Sequence, residues 1–224
     1  FRRVLFRSRL VKEAGLSETG MLTSCSDYHI FLKLKFDRKQ ALDSYCSVVD
    51  AALEAGVRPR CHLEDITRAD IDGFVLPFID RLMEMSRQVP EDLSVKIRLC
   101  DTMGFGLSYP GAELPRSIPK LIYKINRECG VPSDRLEWHG HNDFHKVHVN
   151  GATAWLYGCN ALNSTLFGFG ERTGNPPLEG AVMEYIALKG DMCGLDTTAI
   201  TVLADYMRSI GMPIPDHYPF VGRA

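Results

Sequence analysis

The sequence has no Cys-x-x-Cys pair, no initiator methionine and no apolar run approaching the length of a membrane span. Its seven cysteines are scattered and odd in number, which argues against a disulfide framework and for reduced thiols in a cytoplasmic protein. It has no surplus of charge either. The 26 basic and 28 acidic side chains leave a formal net charge of -2, so no basic field exists to recruit nucleic acid or an anionic membrane. A dinucleotide fingerprint of the G-x-G-x-x-G type is also missing. What remains, at 45% hydrophobic and 24% charged over 224 residues, is a globular chain long enough for one large domain or two small ones.

The first residues, Phe1 to Ser8, fit no signal or transit peptide. They resemble the in-frame translation of a sequencing-library adapter. Residues 1–8 are therefore expected to be non-native sequence joined to part of a longer gene product, with a genuine basic arm as the alternative.

Behind them one unit recurs: a short apolar run, a polar cluster, and an amphipathic helix that ends at glycine. The runs lie near Met21 to Thr23, Arg58 to His62, Val95 to Cys100, Leu136 to Trp138 and Ala161 to Leu166. Ile71, Phe74, Val75, Phe78, Ile79, Leu82 and Met83 follow helical spacing, as do Leu42, Tyr45, Val48, Val49, Ala52 and Leu53. Gly56, Gly130, Gly158, Gly190 and Gly211 stand where left-handed helix caps belong, and Pro115 and Pro177 suit first helical turns.

Strands alternating with helices predict an α/β fold with a parallel sheet, either doubly wound or a (β/α)₈ barrel. Polar clusters follow four successive runs, and a barrel gathers all its strand ends into one site, so the barrel is preferred. Five strands are countable where a complete barrel has eight. The expectation is a partial barrel over residues 9–190, roughly its fourth to eighth strands with the first ones missing. Residues 191–224 then begin a post-barrel helical segment, with a helix from about Thr197 to Ile210 and prolines at 213, 215 and 219.

The chemistry concentrates at His139-Gly140-His141-Asn142-Asp143, directly after a predicted strand. Side chains two apart on a strand share a face, so His139 and His141 can reach one divalent cation together. The bland alternative is a pair of surface histidines. Downstream, Gly168 to Asn175 (GFGERTGN) ends in an asparagine whose carboxamide oxygen can complete a hard-cation shell. Asn175 is equally placed to cap the helix behind Pro176 and Pro177. Thr102 follows Asp101 at a strand end and can donate to a substrate carboxylate, although the pair also reads as a turn. Glu64, at the end of its own strand, can position a proton donor or a base. Thr67 and Asp70 form a capping-box pattern that leaves Glu64 unexplained. The hydroxyls of Thr23-Ser24-Cys25-Ser26-Asp27, that of Ser26 among them, face either substrate or the next helix cap. Cys25 and Cys61 read as buried small apolar residues.

HGHND, LCDTMG, HLEDITRAD and GFGERTGN, in this relative order, resemble the acyl-CoA-condensing TIM-barrel metallolyases. These include the 2-isopropylmalate, homocitrate, citramalate and Re-type citrate synthases, and the hydroxymethylglutaryl-CoA lyases. The resemblance covers roughly Gly15 to Asn175, and GERTGN paired with HxHND points to the synthase branch. It implies an acyltransferase that uses a divalent metal (Mn²⁺, Mg²⁺ or Zn²⁺) and acetyl-CoA to extend a 2-oxoacid. By position it assigns His139, His141 and Asn175 to the metal, Thr102 to the 2-oxoacid carboxylate and Glu64 to catalysis. Its partners would be small molecules, and the parent protein a homodimer. A lyase running the reverse cleavage is the alternative within the same site.

The sequence departs from the family pattern in places. It contains no Arg-Asp-Gly motif, which in the family supplies a further metal ligand and a catalytic arginine, and no Gly-x-His-x-Asp-Gly motif. The chain by itself is therefore expected to hold metal weakly and to show no turnover. His62 stands where many synthases have serine beside the substrate, and Phe169 where many have asparagine. An imidazole at position 62 would narrow the pocket or bond a second carboxylate, as in oxaloacetate.

Overall fold

A computed structural model describes residues 2–223, with side chains from Ser8 onward. The expectation about residues 1–8 lies, for its first seven side chains, outside the described residues. Their backbone from Arg2 belongs to α1 (Arg2–Glu13).

Five strands alternate with helices: β1 (Glu18–Leu22), α2 (Arg38–Glu54), β2 (Arg58–Glu64), α3 (Leu76–Ser86), β3 (Lys96–Asp101), α4 (Ile118–Arg127), β4 (Leu136–Gly140), α5 (Val147–Tyr157) and β5 (Ala161–Asn163). α6 (Leu178–Lys189) and α7 (Ala199–Ser209) follow. All pairings are parallel, and the order is β1-β2-β3-β4-β5. Each strand lies beside the one before it, so the sheet has no switch point of the doubly wound kind. Every carboxyl end opens on the same edge.

Alternation divides each strand between two faces. Cys61, Leu63, Ile97, Leu99, Leu136 and Trp138 point toward the helices and form the core with Tyr45, Val49, Phe74, Phe78, Ile79, Leu82, Leu121, Ile122 and Ala154. The helical spacing read from Ile71 to Met83 is fully used, since all seven residues are buried. The other face carries charge. Arg60 pairs with Glu18 at 2.6 Å, Lys96 with Glu18 at 2.9 Å, and Arg98 with Glu137 at 2.7 Å.

Helix boundaries have local causes. Asp37 and Gln40 form a capping box on α2, and Ser117 accepts from Lys120 N–H at the start of α4. Gly56, Gly130, Gly158, Gly190 and Gly211 all have positive φ, as their capping role requires. Three expectations fail. Pro115 sits ahead of α4 after a cis peptide, while Pro119 occupies the first turn. Thr67 caps nothing: its hydroxyl donates to Asp101, and Asp70 instead accepts from Gly73 N–H. Pro177 stands at the N-cap of α6, one place before its first turn.

Phe167, ahead of α6, forms a second, smaller apolar cluster with Ala204, Ile214 and Val221 beyond it. It fastens α7 and the residues after it to the loop behind β5. Among the described residues, no helix is long and apolar enough to cross a membrane.

Removing buried surface from the central strand should be costly. Leu99 is fully buried, so Leu99→Ala is expected to lose about 3 kcal/mol in urea unfolding. Tyr123→Ala, at a position 62% exposed, should stay within about 0.5 kcal/mol of the parent.

Candidate active site

Parallel register sets Glu64 beside Cys100, Cys100 beside His139, and His139 beside Asn163. These four residues form one row across the open face at its carboxyl edge. One step below lie His62, Arg98 and Glu137.

His139 and His141 converge as their spacing predicts, with their Nε2 atoms 3.2 Å apart and their rings edge to face. The Nδ1 of His139 lies 2.6 Å from the Asn163 carboxamide oxygen. That contact requires Nδ1–H and leaves the Nε2 lone pair free for a ligand. Burial above all, then the neighbouring His141 and Arg98, holds His139 below the usual histidine range despite the Asn163 bond. The ring is thereby kept neutral, which is the ligating form. His141 is buried, and its Nδ1 has no protein partner.

Asn175 is brought to the same place. Its Nδ2 donates 2.9 Å to the carbonyl of Gly140, the residue between the two histidines. Its side-chain oxygen lies against Gly170, where an added Cβ would fall 1.9 Å away. The capping alternative is not realised, because Pro177 is the N-cap of α6. Among the described residues no group of three or more His, Cys, Asp or Glu side chains converges. The side chains here that could hold a cation are the two imidazoles, with the Asn175 carboxamide anchored between them on the Gly140 carbonyl. Two Nε2 atoms 3.2 Å apart could both face one divalent ion of the zinc or manganese type.

Glu64 is more elaborately held than its sequence position indicated. The Ser24 hydroxyl donates to one oxygen, His29 Nδ1 lies 3.3 Å from that oxygen, and Lys33 Nζ reaches both oxygens at 3.3 Å. Burial by itself would raise the Glu64 pKa. Ser24, His29 and Lys33 together overcome it and hold the carboxyl below its ordinary value. Ser24 lies in the hydroxyl cluster the sequence singles out; His29 and Lys33 do not. The signal for His29 and Lys33 is their place just after that cluster, behind the first strand.

Ser26 requires a correction. It is fully buried, its hydroxyl donates 2.5 Å to Asp65, and it accepts from His29 N–H at 3.3 Å. It serves the scaffold under the site, and Ser24 is the serine that meets Glu64.

Thr102 accepts from Asp65 N–H at 2.8 Å, while its own hydrogen has only the Cys100 carbonyl at 3.4 Å. That long contact leaves the hydroxyl proton available to a ligand. Arg172, which had no assigned role, ties three loops together: Nη2 donates 2.5 Å to the Thr102 carbonyl, and Nε and Nη2 each stand 3.1 Å from Asp143.

His62 accepts from Arg60 Nε–H at 3.1 Å. An imidazole fits here because Gly20 opposes it; a Cβ on Gly20 would meet the ring at 2.9 Å. The bond from Arg60 demands the Nδ1–H tautomer, so His62 retains a donor.

The HMGL-like family profile matches residues 7–207. The chain is 60% identical over 214 residues to citrate (Re)-synthase of Syntrophus aciditrophicus, covering 95% of this chain and 34% of that protein. Against citrate (Re)-synthase of Clostridium kluyveri the identity is 51%, covering 96% and 47% respectively. The chain thus spans between a third and a half of these relatives' length. Among solved structures, the HMG-CoA lyase of Bacillus subtilis superposes with a TM-score of 0.68 at 17% identity, over 93% of this chain and 68% of the other. At that identity the likeness is one of fold.

Burial above all, then Arg98 and Arg60, pushes the His62 pKa down from 6.5 to about 4. Between those values the unfolded chain binds a proton that the folded chain refuses. Stability therefore falls as pH drops through this window. In His62→Gln the loss of urea midpoint between pH 7 and pH 4.5 should be smaller than in the parent. An unchanged loss would mean that His62 titrates as freely folded as unfolded.

Proposed function

This chain belongs to the HMGL-like family, and on that premise we propose that it forms the catalytic sheet of a divalent-metal-dependent acyltransferase. The enzyme condenses acetyl-CoA with a 2-oxoacid and then hydrolyses the thioester. The observation that carries this reading is the convergence of His139 and His141 Nε2 at 3.2 Å, in one row with Glu64. The five strands, wound in a single direction with a polar inner face, are read as consecutive strands of an eight-stranded barrel. Residues 191–224 are read as the start of a post-barrel segment. The family resemblance supports a homodimeric parent, and thiols that are all unpaired support a cytoplasmic location.

The residues divide the work. His139, His141 and the Asn175 carboxamide would hold the cation. When bound, it would supply Lewis acidity at the keto and carboxylate oxygens of the 2-oxoacid. Thr102 would donate its hydroxyl proton to that carboxylate. Ionised Glu64 and Asp65 flank the His29 ring, with carboxylate oxygens 3.3 Å from Nδ1 and 3.9 Å from Nε2 and, among the described residues, no hydrogen bond to Nδ1. This arrangement orients a group able to carry a proton to or from the reacting atoms. The acetyl methyl group must lose a proton before its carbon attacks the ketone, and hydrolysis of the thioester then makes the condensation irreversible.

The pocket chemistry favours a dicarboxylic 2-oxoacid of the oxaloacetate type. His62 keeps an Nδ1–H donor, and the Arg98 and Arg60 guanidiniums lie close enough to depress its pKa. A second carboxylate would find the His62 donor and net positive charge there, whereas a branched apolar side chain would leave the His62 donor unpaired. Arg60 and Arg98 are already paired with Glu18 and Glu137. The names of the 60% and 51% identical relatives support the same choice.

Two measurements test this. Calorimetric titration of Mn²⁺ into the chain should show one site, weakened more than about a hundredfold in His139→Ala/His141→Ala. Equal binding by both proteins would remove the metal site from this strand. In the full-length protein, thiol release from acetyl-CoA should be about tenfold or more faster with oxaloacetate than with 2-oxoisovalerate. The opposite preference would overturn the dicarboxylate assignment, and cleavage of a hydroxyacyl-CoA without condensation would overturn the synthase assignment.

A further inference from the structure

Glu179 is buried in the first turn of α6, and both its oxygens are engaged. One accepts from Phe167 N–H at 3.0 Å, the other from the Tyr218 hydroxyl at 2.5 Å. Phe167 is held at φ 52°, ψ 24°, a left-handed conformation that a residue with a large side chain avoids unless its surroundings impose it. Tyr218 imposes it twice. Its ring packs edge-on against the Phe167 ring at 6.0 Å, and its hydroxyl fixes the carboxylate that binds the Phe167 N–H.

The residue after this bend, Gly168, accepts from Asn175 N–H at 3.1 Å. Asn175 in turn donates through Nδ2 to the Gly140 carbonyl between the two histidines. A continuous path therefore runs from Tyr218 through Glu179, Phe167 and Gly168 to Asn175. Tyr218 does not belong to the sheet or to any helix that covers it. It stands in the segment after α7, whose Ile214 and Val221 close the small apolar cluster around Phe167.

We propose that Tyr218 is a positioning residue for Asn175, so that the segment after α7 governs how well the histidine pair holds its cation. The consequence for the cation rests on the metal reading given above; the consequence for Asn175 does not. Without the phenolic hydroxyl, Glu179 loses one donor and the Phe167 bend loses its brace. The loop can then relax away from the left-handed conformation and carry the carboxamide with it. The sheet is untouched, because its hydrogen bonds and its core lie elsewhere.

The test uses Tyr218→Phe, which keeps the ring, and Glu179→Gln, both in the whole chain. In the metal-free proteins, amide exchange at Gly168 and Asn175 should quicken about tenfold or more, with β2 and β3 amides as protected as in the parent. Mn²⁺ affinity should fall about five- to tenfold in each variant and no further in the double variant, since both act through one path. Unchanged exchange at Asn175 would overturn the proposal. Faster exchange with unchanged Mn²⁺ affinity would overturn the governing role and reduce Tyr218 to a structural contact. A parent chain that binds no Mn²⁺ would sink the metal reading, and exchange at Asn175 would still decide whether Tyr218 positions that residue.

Discussion

The row Glu64, Cys100, His139 and Asn163 is the constraint on which the site depends, and it is a consequence of parallel register. Parallel strands in unbroken order deliver every carboxyl end to one edge, and alternation decides which side chain at each end faces inward. A slip of one residue in β4 would turn His139 toward the helices and put Trp138 on the charged face. Register is protected against this because Trp138, Leu99 and Leu63 are fully buried on the helix side. The hydrophobic half of each strand thus fixes the chemistry of the other half. The burial that stabilises the fold and the row that assembles the site come from one pattern.

The charged floor beneath that row has an electrostatic effect on it. Arg60, Lys96 and Arg98 are shared between Glu18 and Glu137, three cations to two anions. Burial first, with Arg98 adding to it, lowers the proton affinity of His62 on that floor and of His139 in the row above. Neutral imidazole is what a metal ligand must be. A polar neighbourhood with spare positive charge also suits an anionic substrate. Arg98, which holds the lower part of the sheet together through Glu137, therefore also bears on the imidazole of His139 above it.

The sequence made the strands, the helix faces and the five glycine caps legible because each depends on residues close in the chain. A period of two, a period of 3.6 or a positive φ after a helix leaves its mark within a few positions. The convergence of His139 and His141 was legible for the same reason. Hydroxyl and carboxamide roles were read less well. Thr67, Ser26 and Asn175 all stood at plausible caps, but their partners are Asp101, Asp65 and Gly140, each more than thirty residues away. A short polar side chain carries no periodicity, and its partner is chosen by the fold. His29 and Lys33 carry no such mark, because nothing local distinguishes a residue that meets Glu64 from one that meets solvent. Arg172 was visible in its motif, yet its contacts with Thr102 and Asp143 exist only once three loops share an edge.

The glycines of GFGERTGN show how a motif can resemble a ligand-binding loop and do something else. In phosphate loops glycine lets backbone approach a ligand. Here the close approaches are internal. A Cβ on Gly170 would fall 1.9 Å from the Asn175 carboxamide oxygen, and one on Gly174, at φ 97°, would fall 2.3 Å from the Gly168 carbonyl. Each glycine makes room for part of the same loop, and the loop folds tightly enough to serve as a mount. Asn142 N–H donating to the Gly174 carbonyl at 3.0 Å fastens that mount to the HGHND turn, and Arg172 fastens it to the turn after β3. Three strand ends are thereby joined above the sheet by contacts that need glycine at fixed places. The spacing of the motif therefore records the packing of the mount as much as the chemistry of the asparagine it carries.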